Sequence, residues 1–354
     1  MPSTPLPESP GFDAEGTRTW QLLLRAEKMA MPLSRAATSK YKDQLVAVRV
    51  LGWFLKDFWD HTSRTDFGLL LYHRLITEIS SCYHTEQPVE VGHSKVIQLG
   101  LSYSNQLLRV CRSDTGPTPT PSSDVSHPSF DAMMVDSTIN GMKTAPKSKS
   151  EAKIQALVRD GYRCMISGIL DYDSVGDQDV PVTMTQCAHL FSEFGQDKDK
   201  MFGLNEVVQS LLGGQVNNLG NVLTMSDALH RKFDEYEFWL EEVDGQLNTY
   251  DLRARHEKFF RLADNPRRRV KFEVDQGVLA LCAEKGLLPP PLPNRNLIAI
   301  RSACARVAHV SGAAELVVQL LRDRGETSVM ASDGSTAPLL TSLLLHAPFD
   351  RITT

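Results

Sequence analysis

No two of the six cysteines, at positions 82, 111, 164, 187, 282 and 304, form a CxxC pair, and the gaps between them are long. That spacing argues against a secreted disulfide framework and fits an intracellular setting, with nucleus and cytoplasm both open. The opening residues MPSTPLPESPGF lack a basic start and an apolar core, so no secretory signal is expected. No stretch approaches the roughly 18 to 20 apolar residues of a membrane span, and the apolar run Leu339 to Leu345 is too short, so no membrane partner is expected. Internal repeats are absent. A strong positive charge is also lacking. The net charge of -5 argues against a surface coated in nucleic acid, yet leaves room for one local basic patch.

The chain has 354 residues, 42% hydrophobic and 23% charged, enough for two or three globular domains. Residues 1–18 are rich in Pro, Ser and Thr and are expected to be disordered. From 19 to 112 the pattern is helical. Val46, Val50, Trp53, Phe54 and Phe58 recur at steps of three and four, as do Val96, Leu99, Tyr103, Leu107 and Val110. Ser63 or Thr65 could cap a helix through FGLLLYHRLITEIS. This part reads as a small helical bundle, with the tryptophans and phenylalanines as its core. Residues 113–149, with TGPTPTPSSD and APKSKS, have little periodicity and read as a flexible linker.

The texture changes near residue 150. The helical EAKIQALVRDG leads into RCMISG, a short strand entering a turn. PVTMTQCAHLF is rich in β-branched residues and reads as a strand. Asn221 opens a second short strand, and Ser226 suits the N-cap of a helix DALHRKFDEY. FWLEEV and LNTYDL, joined through Asp244-Gly245, read as a hairpin. EVVQSLLGG reads as a short helix within the interval from 189 to 221. Residues 263–354 read as a C-terminal helical extension, broken at Ser311-Gly312. The fold class is α+β: a helical N-terminal domain, a central domain over 150–262, and that extension.

Phosphodiester hydrolysis needs a base for water, a cation to stabilise phosphate charge, and a group that orients the base. His189 ends an apolar strand, where a packed histidine is the plainer reading. His230 and Asp234 lie four residues apart, on one face of the predicted helix, where imidazole and carboxylate make a half-site for a divalent metal. A solvated helix face is the plainer reading of that pair. His73, His84 and His93 have no acidic or thiol partners at ligand spacing. His309, Ser311 and Cys304 lack a nucleophile-elbow motif.

In order, RC-xx-SG, AHL, N-VLTM and LHRKFD resemble the HNH endonuclease (ββα-metal) superfamily, in the form found in many fungal proteins. The interval of nine residues from Asn221 to His230 matches that pattern. The resemblance implies His189 as general base, Asn221 as the residue that fixes the strand-helix geometry and helps orient His189, and His230 and Asp234 as metal ligands. It implies a divalent cofactor, with Mg²⁺ or Mn²⁺ favoured and Zn²⁺ compatible. Asn217 and Asn218 read as turn residues. The position before His189, a metal ligand in many relatives, is Ala188. The paired thiols that hold structural zinc in many relatives are missing, since Ser167 follows Cys164 at the relevant spacing. Cys164 and Cys187 are therefore expected to be buried and free.

Between residues 253 and 271 there are eight Lys or Arg against two acidic residues. Arg253, Lys258, Arg267, Arg268 and Arg269 could contact phosphates, or could be a solvated face. Arg267 to Arg269 also reads as a weak nuclear-import signal. Metal-dependent cleavage of nucleic acid, DNA in first place, is the leading expectation. The alternative is an inactive scaffold that binds nucleic acid or protein, with the helical N-terminal domain as a route to a protein partner.

Overall fold

A computed structural model of the chain describes residues 4–35, 39–61, 66–84, 86–110, 146–175, 179–191 and 203–315. The proposed caps Ser63 and Thr65, most of the 113–149 linker, the side chains of Leu107 and Val110, and the chain beyond 315 lie outside the described residues. The protein is α+β and divides into two compact units. One takes residues 1–111, 193–206 and 306–354, and the other 112–192 and 207–305.

Among its described residues the first unit carries the helices α1 (Ala14–Arg35), α2 (Ser39–Asp60), α3 (Asp66–Ser81) and α4 (Val89–Val110). Their spacing of apolar residues gives each helix one core-facing stripe. Val50, Phe54, Phe58, Val96, Leu99 and Tyr103 are buried, as their periodicity predicts. Trp53 and Trp59 are only half-buried. Phe12 meets Trp20 edge-on and Tyr72 at a tilt, adding aromatic contacts.

The N-terminal segment differs from its sequence expectation. Leu6 is buried and residues 14–18 begin α1, so the Pro-rich start packs rather than hangs free. The cause is a buried pair that composition hides. The Glu27 carboxylate accepts from Arg49 Nε at 2.6 Å and from the Leu6 backbone N–H at 3.3 Å. A buried carboxylate needs such donors, and the Leu6 amide is one of them.

The second unit carries α5 (Lys149–Arg159), β1 (Leu170–Asp171), β2 (Val182–Thr183) and β3 (Thr185–His189). Then come β4 (Val222–Ser226), α7 (Asp227–Asp234), β5 (Phe238–Glu242), β6 (Thr249–Ala254), β7 (Arg269–Lys271) and α8 (Gln276–Glu284). The remaining described α-helices are α6 (Gly203–Leu212) and α9 (Arg295–Ser311). α6 is the short helix expected from EVVQSLLGG.

β3 and β4 pair antiparallel, from Thr185↔Ser226 to His189↔Val222. Alternate side chains leave opposite faces of this two-stranded sheet. Cys187 and Val222 pack with Ala152 and Ala156 of α5. Gln186 faces α7. The order strand, loop, strand, helix is the one read from the sequence. Ser226 is the N-cap of α7, with its hydroxyl accepting from the Leu229 N–H at 3.3 Å.

β5 and β6 form the expected hairpin around Asp244-Gly245, where Gly245 adopts a φ of 73°. The unit does not end near residue 262. β7 adds a third strand against β6, and Val274, Val278 and Cys282 share a core with Leu157, Val158 and Tyr162. Three residues of strand carry too little periodicity to stand out from a basic loop. α9 runs to Ser311, and Gly312 follows with a φ of 86°, the break expected there.

Candidate active site

His189 is the last residue of β3 and is half-buried. Its Nε2 lies 3.1 Å from Asn217 Oδ1. An amide oxygen only accepts, so Nε2 carries the proton and Nδ1 the lone pair of the neutral ring. The imidazole is thus held by Asn217, a residue whose sequence context says only turn. Asn217 does sit in the expected turn, closed by the Asn218 N–H on the Gln215 carbonyl at 3.1 Å, and Asn218 caps the next one, its Oδ1 accepting from the Gly220 N–H at 2.9 Å.

Asn221 does different work. Its side chain is fully buried. Oδ1 accepts from the Phe191 N–H at 3.1 Å, and Nδ2 donates to the carbonyls of Phe191 and Val216, each at 2.8 Å. Its own carbonyl accepts from the Leu190 N–H at 2.8 Å. Asn221 therefore ties the chain leaving His189 to the chain entering β4, and reaches the base through the backbone. Asn221→Ala strands three buried polar groups, so a loss of about 3 kcal/mol is expected. Urea unfolding of the variant measures it, and a loss below about 1 kcal/mol contradicts this role.

His230 and Asp234 are 7% and 8% exposed and face each other across one turn of α7. His230 Nε2 lies 3.5 Å from Asp234 Oδ2, and its Nδ1 is 3.2 Å from Gln186 Oε1. Burial pushes the His230 pKa below the ordinary imidazole value. Asp234 opposes that shift, and Lys149 and Arg301 add to it. The ring is thus neutral near pH 7. Asp234 also has a second neighbour, Arg301, at 3.8 Å. That buried guanidinium donates to the Phe233 carbonyl at 2.8 Å and stacks over the rings of Phe233 and Tyr236.

Do these residues fit a divalent ion? A neutral imidazole nitrogen and a carboxylate oxygen face one another at 3.5 Å. Two donors bound at about 2.1 Å each, with an angle near the tetrahedral value, stand roughly 3.4 Å apart. The separation and the donor chemistry both fit. Among the described residues no group of three or more His, Cys, Asp or Glu converges on a metal-sized site. Ala188 is fully buried and offers no donor. The protein's share would be two ligands, with water or phosphate oxygen supplying the rest.

Residues 164–241 match the HNH endonuclease family. This segment is an HNH domain. No curated protein and no solved structure matches the chain. The HNH match begins at Cys164, where hydrogen bonds close a turn. Gly168 N–H donates to the Cys164 carbonyl at 2.8 Å, and the Ser167 N–H points to Cys164 Sγ at 3.4 Å. Cys164 and Cys187 are both buried and free. Burial pushes the Cys187 thiol up to about 12. Cys187 should therefore resist iodoacetamide at pH 8 in the folded protein and react once the chain is unfolded. Peptide mapping checks this, and native labelling would contradict the burial.

The basic strip lies on β6, the 3-10 turn Glu257–Arg261, the residues just before β7, and β7 itself. Arg253 pairs with Glu241 at 3.0 Å, Arg268 with Glu257 at 2.7 Å, and Arg269 with Asp251 at 2.6 Å. Lys258 and Arg267 are exposed. The Arg267 backbone N–H donates to the Ile166 carbonyl at 3.2 Å, and its guanidinium lies over Gly168. Three of the five cations thus have carboxylate partners, which lowers the net charge of the strip. Exposed pairs of this kind hold weakly and can exchange for phosphate.

Proposed function

We propose that the HNH domain hydrolyses phosphodiester bonds in nucleic acid, DNA in first place, with a divalent metal held by His230 and Asp234. The observation that carries this reading is the facing pair His230 Nε2 and Asp234 Oδ2, buried together on the helix that follows β4. When bound, Mg²⁺ or Mn²⁺ supplies positive charge to the phosphate and to the departing oxygen. His189 Nδ1 takes a proton from water as that water's oxygen attacks phosphorus and the bond to the leaving oxygen breaks. Asn217 holds the Nε2–H and keeps Nδ1 basic. Asn221 fixes the backbone on both sides of this arrangement.

Arg253, Lys258, Arg267, Arg268 and Arg269 contribute a phosphate-contacting strip, once the exposed carboxylates give way. A second reading rests on Arg301. Asp234 already has a cation beside it, so a scaffold that binds nucleic acid without cutting it is the competing function.

The experiment is plasmid nicking by the purified chain with Mg²⁺, Mn²⁺ or no metal, beside His230→Ala. Metal-dependent nicking that the variant loses supports the nuclease. Retention of plasmid in a gel-shift assay with no nicking under any metal supports the scaffold.

A further inference from the structure

We propose that Gln186 is a positioning residue: it sets the tautomer of His230 and thereby presents Nε2 to the metal. The inference rests on the reading of His230 as a ligand and adds a residue to it. Gln186 sits on β3, three positions before His189, and its side chain reaches α7 at two points. Its Nε2 lies 2.5 Å from Asp227 Oδ1, and its Oε1 lies 3.2 Å from His230 Nδ1.

The direction of these bonds follows from chemistry. A carboxylate offers only acceptors, so the amide must turn its NH₂ toward Asp227. The amide oxygen is then left for His230, and an amide oxygen cannot donate. The proton of the neutral ring therefore belongs on Nδ1, and the lone pair belongs on Nε2. The other oxygen of Asp227 forms an exposed ion pair with Arg231 at 3.2 Å. Arginine, aspartate, glutamine and histidine form one chain of contacts, each limiting the next.

The opposite tautomer would set two lone pairs against each other at the 3.2 Å contact with Gln186. It would also place a proton on Nε2, between His230 and Asp234, where a metal would have to bind. Gln186 thus separates two uses of the same two side chains. With it, the pair is a chelate. Without it, Nε2–H can donate to Asp234 and the pair closes on itself. Partners of this kind to a ligating histidine typically change metal affinity by about 10- to 100-fold.

The test uses the full chain with ¹⁵N-labelled histidine at pH 8. Long-range ¹H–¹⁵N correlation reads which ring nitrogen of His230 is protonated, with the His189 ring as an internal control for the fold. The wild type should show Nδ1–H. Gln186→Met, similar in size but with only a weak thioether acceptor in place of the amide oxygen, should move His230 toward Nε2–H and weaken Mn²⁺ binding at least tenfold by calorimetry. The double variant Gln186→Glu/Asp227→Asn keeps the net charge, an acceptor toward Nδ1 and a donor between the two side chains. It should restore both readouts.

An Nε2–H tautomer in the wild type overturns the proposal. So does an unchanged tautomer or unchanged Mn²⁺ affinity in Gln186→Met. If the wild type binds no Mn²⁺ at all, the metal reading of His230 and Asp234 fails. The tautomer result then still decides whether Gln186 controls this ring.

Discussion

His189→Ala should lower metal-dependent cleavage by about 10²- to 10⁴-fold while leaving the protein folded. The size follows from the role. Proton abstraction from water happens only on the way to the transition state, so kcat should fall with little change in KM. The folded state should tolerate the change because His189 is half-buried and ends its strand. Asn217→Ala should produce a smaller loss of the same kind, since the imidazole stays but its Nε2–H partner goes. His230→Ala should differ from both by abolishing Mn²⁺ binding. Initial rates of plasmid nicking, with circular dichroism as a check on folding, measure these effects. A His189→Ala protein that cuts at the wild-type rate removes His189 from the mechanism.

The two asparagines illustrate where reading the sequence stops. Asn221 stands out in the sequence only through the resemblance, which pairs it with His230 nine residues on. Its buried bonds to Phe191 and Val216 could not be read from spacing, because Phe191 is 30 residues away in sequence. Asn217 looked like turn material because Asn is common in turns. It does lie in a turn, the one closed by the Asn218 N–H on the Gln215 carbonyl, but its contact with His189, 28 residues away in sequence, leaves no local signal.

The local elements were more legible. Ser226 before an amphipathic run, the alternation in β3, and Asp244-Gly245 between two β-rich stretches each carry a local physical signal. His230 and Asp234 were readable as neighbours because helix geometry alone puts them on one face. The basic strip was readable as composition, yet its partners Glu241 and Asp251 come from neighbouring strand positions that only the register reveals. Gln186 gave no signal, since a glutamine on a strand is ordinary. The packed N-terminal segment was hidden in the same way, because its anchor Glu27 lies on α1 and pairs with Arg49 on α2.

Arg159→Ala should destabilise the second unit by about 3–5 kcal/mol, the cost of breaking a buried charged pair. Nothing in the sequence separates Arg159 from other helix-end arginines, but its side chain is fully buried. Nε and one terminal nitrogen fork onto the Asp160 carboxylate at 2.6 and 2.9 Å. The guanidinium also donates to the carbonyls of Leu219 at 2.8 Å, Val222 at 2.9 Å and Pro291 at 3.2 Å. Two of those carbonyls flank Asn221. Truncation would leave Asp160 charged and unpaired in the interior and three carbonyls without this donor. Arg159→Lys should recover only part of the loss, because one ammonium cannot match a planar fork. Urea unfolding reports the stability. A loss under about 1 kcal/mol for Arg159→Ala would mean that water or relaxation replaces the guanidinium, and that the clamp on Asn221 lies elsewhere. The expected loss would tie the geometry of the site to a buried charge at the end of α5.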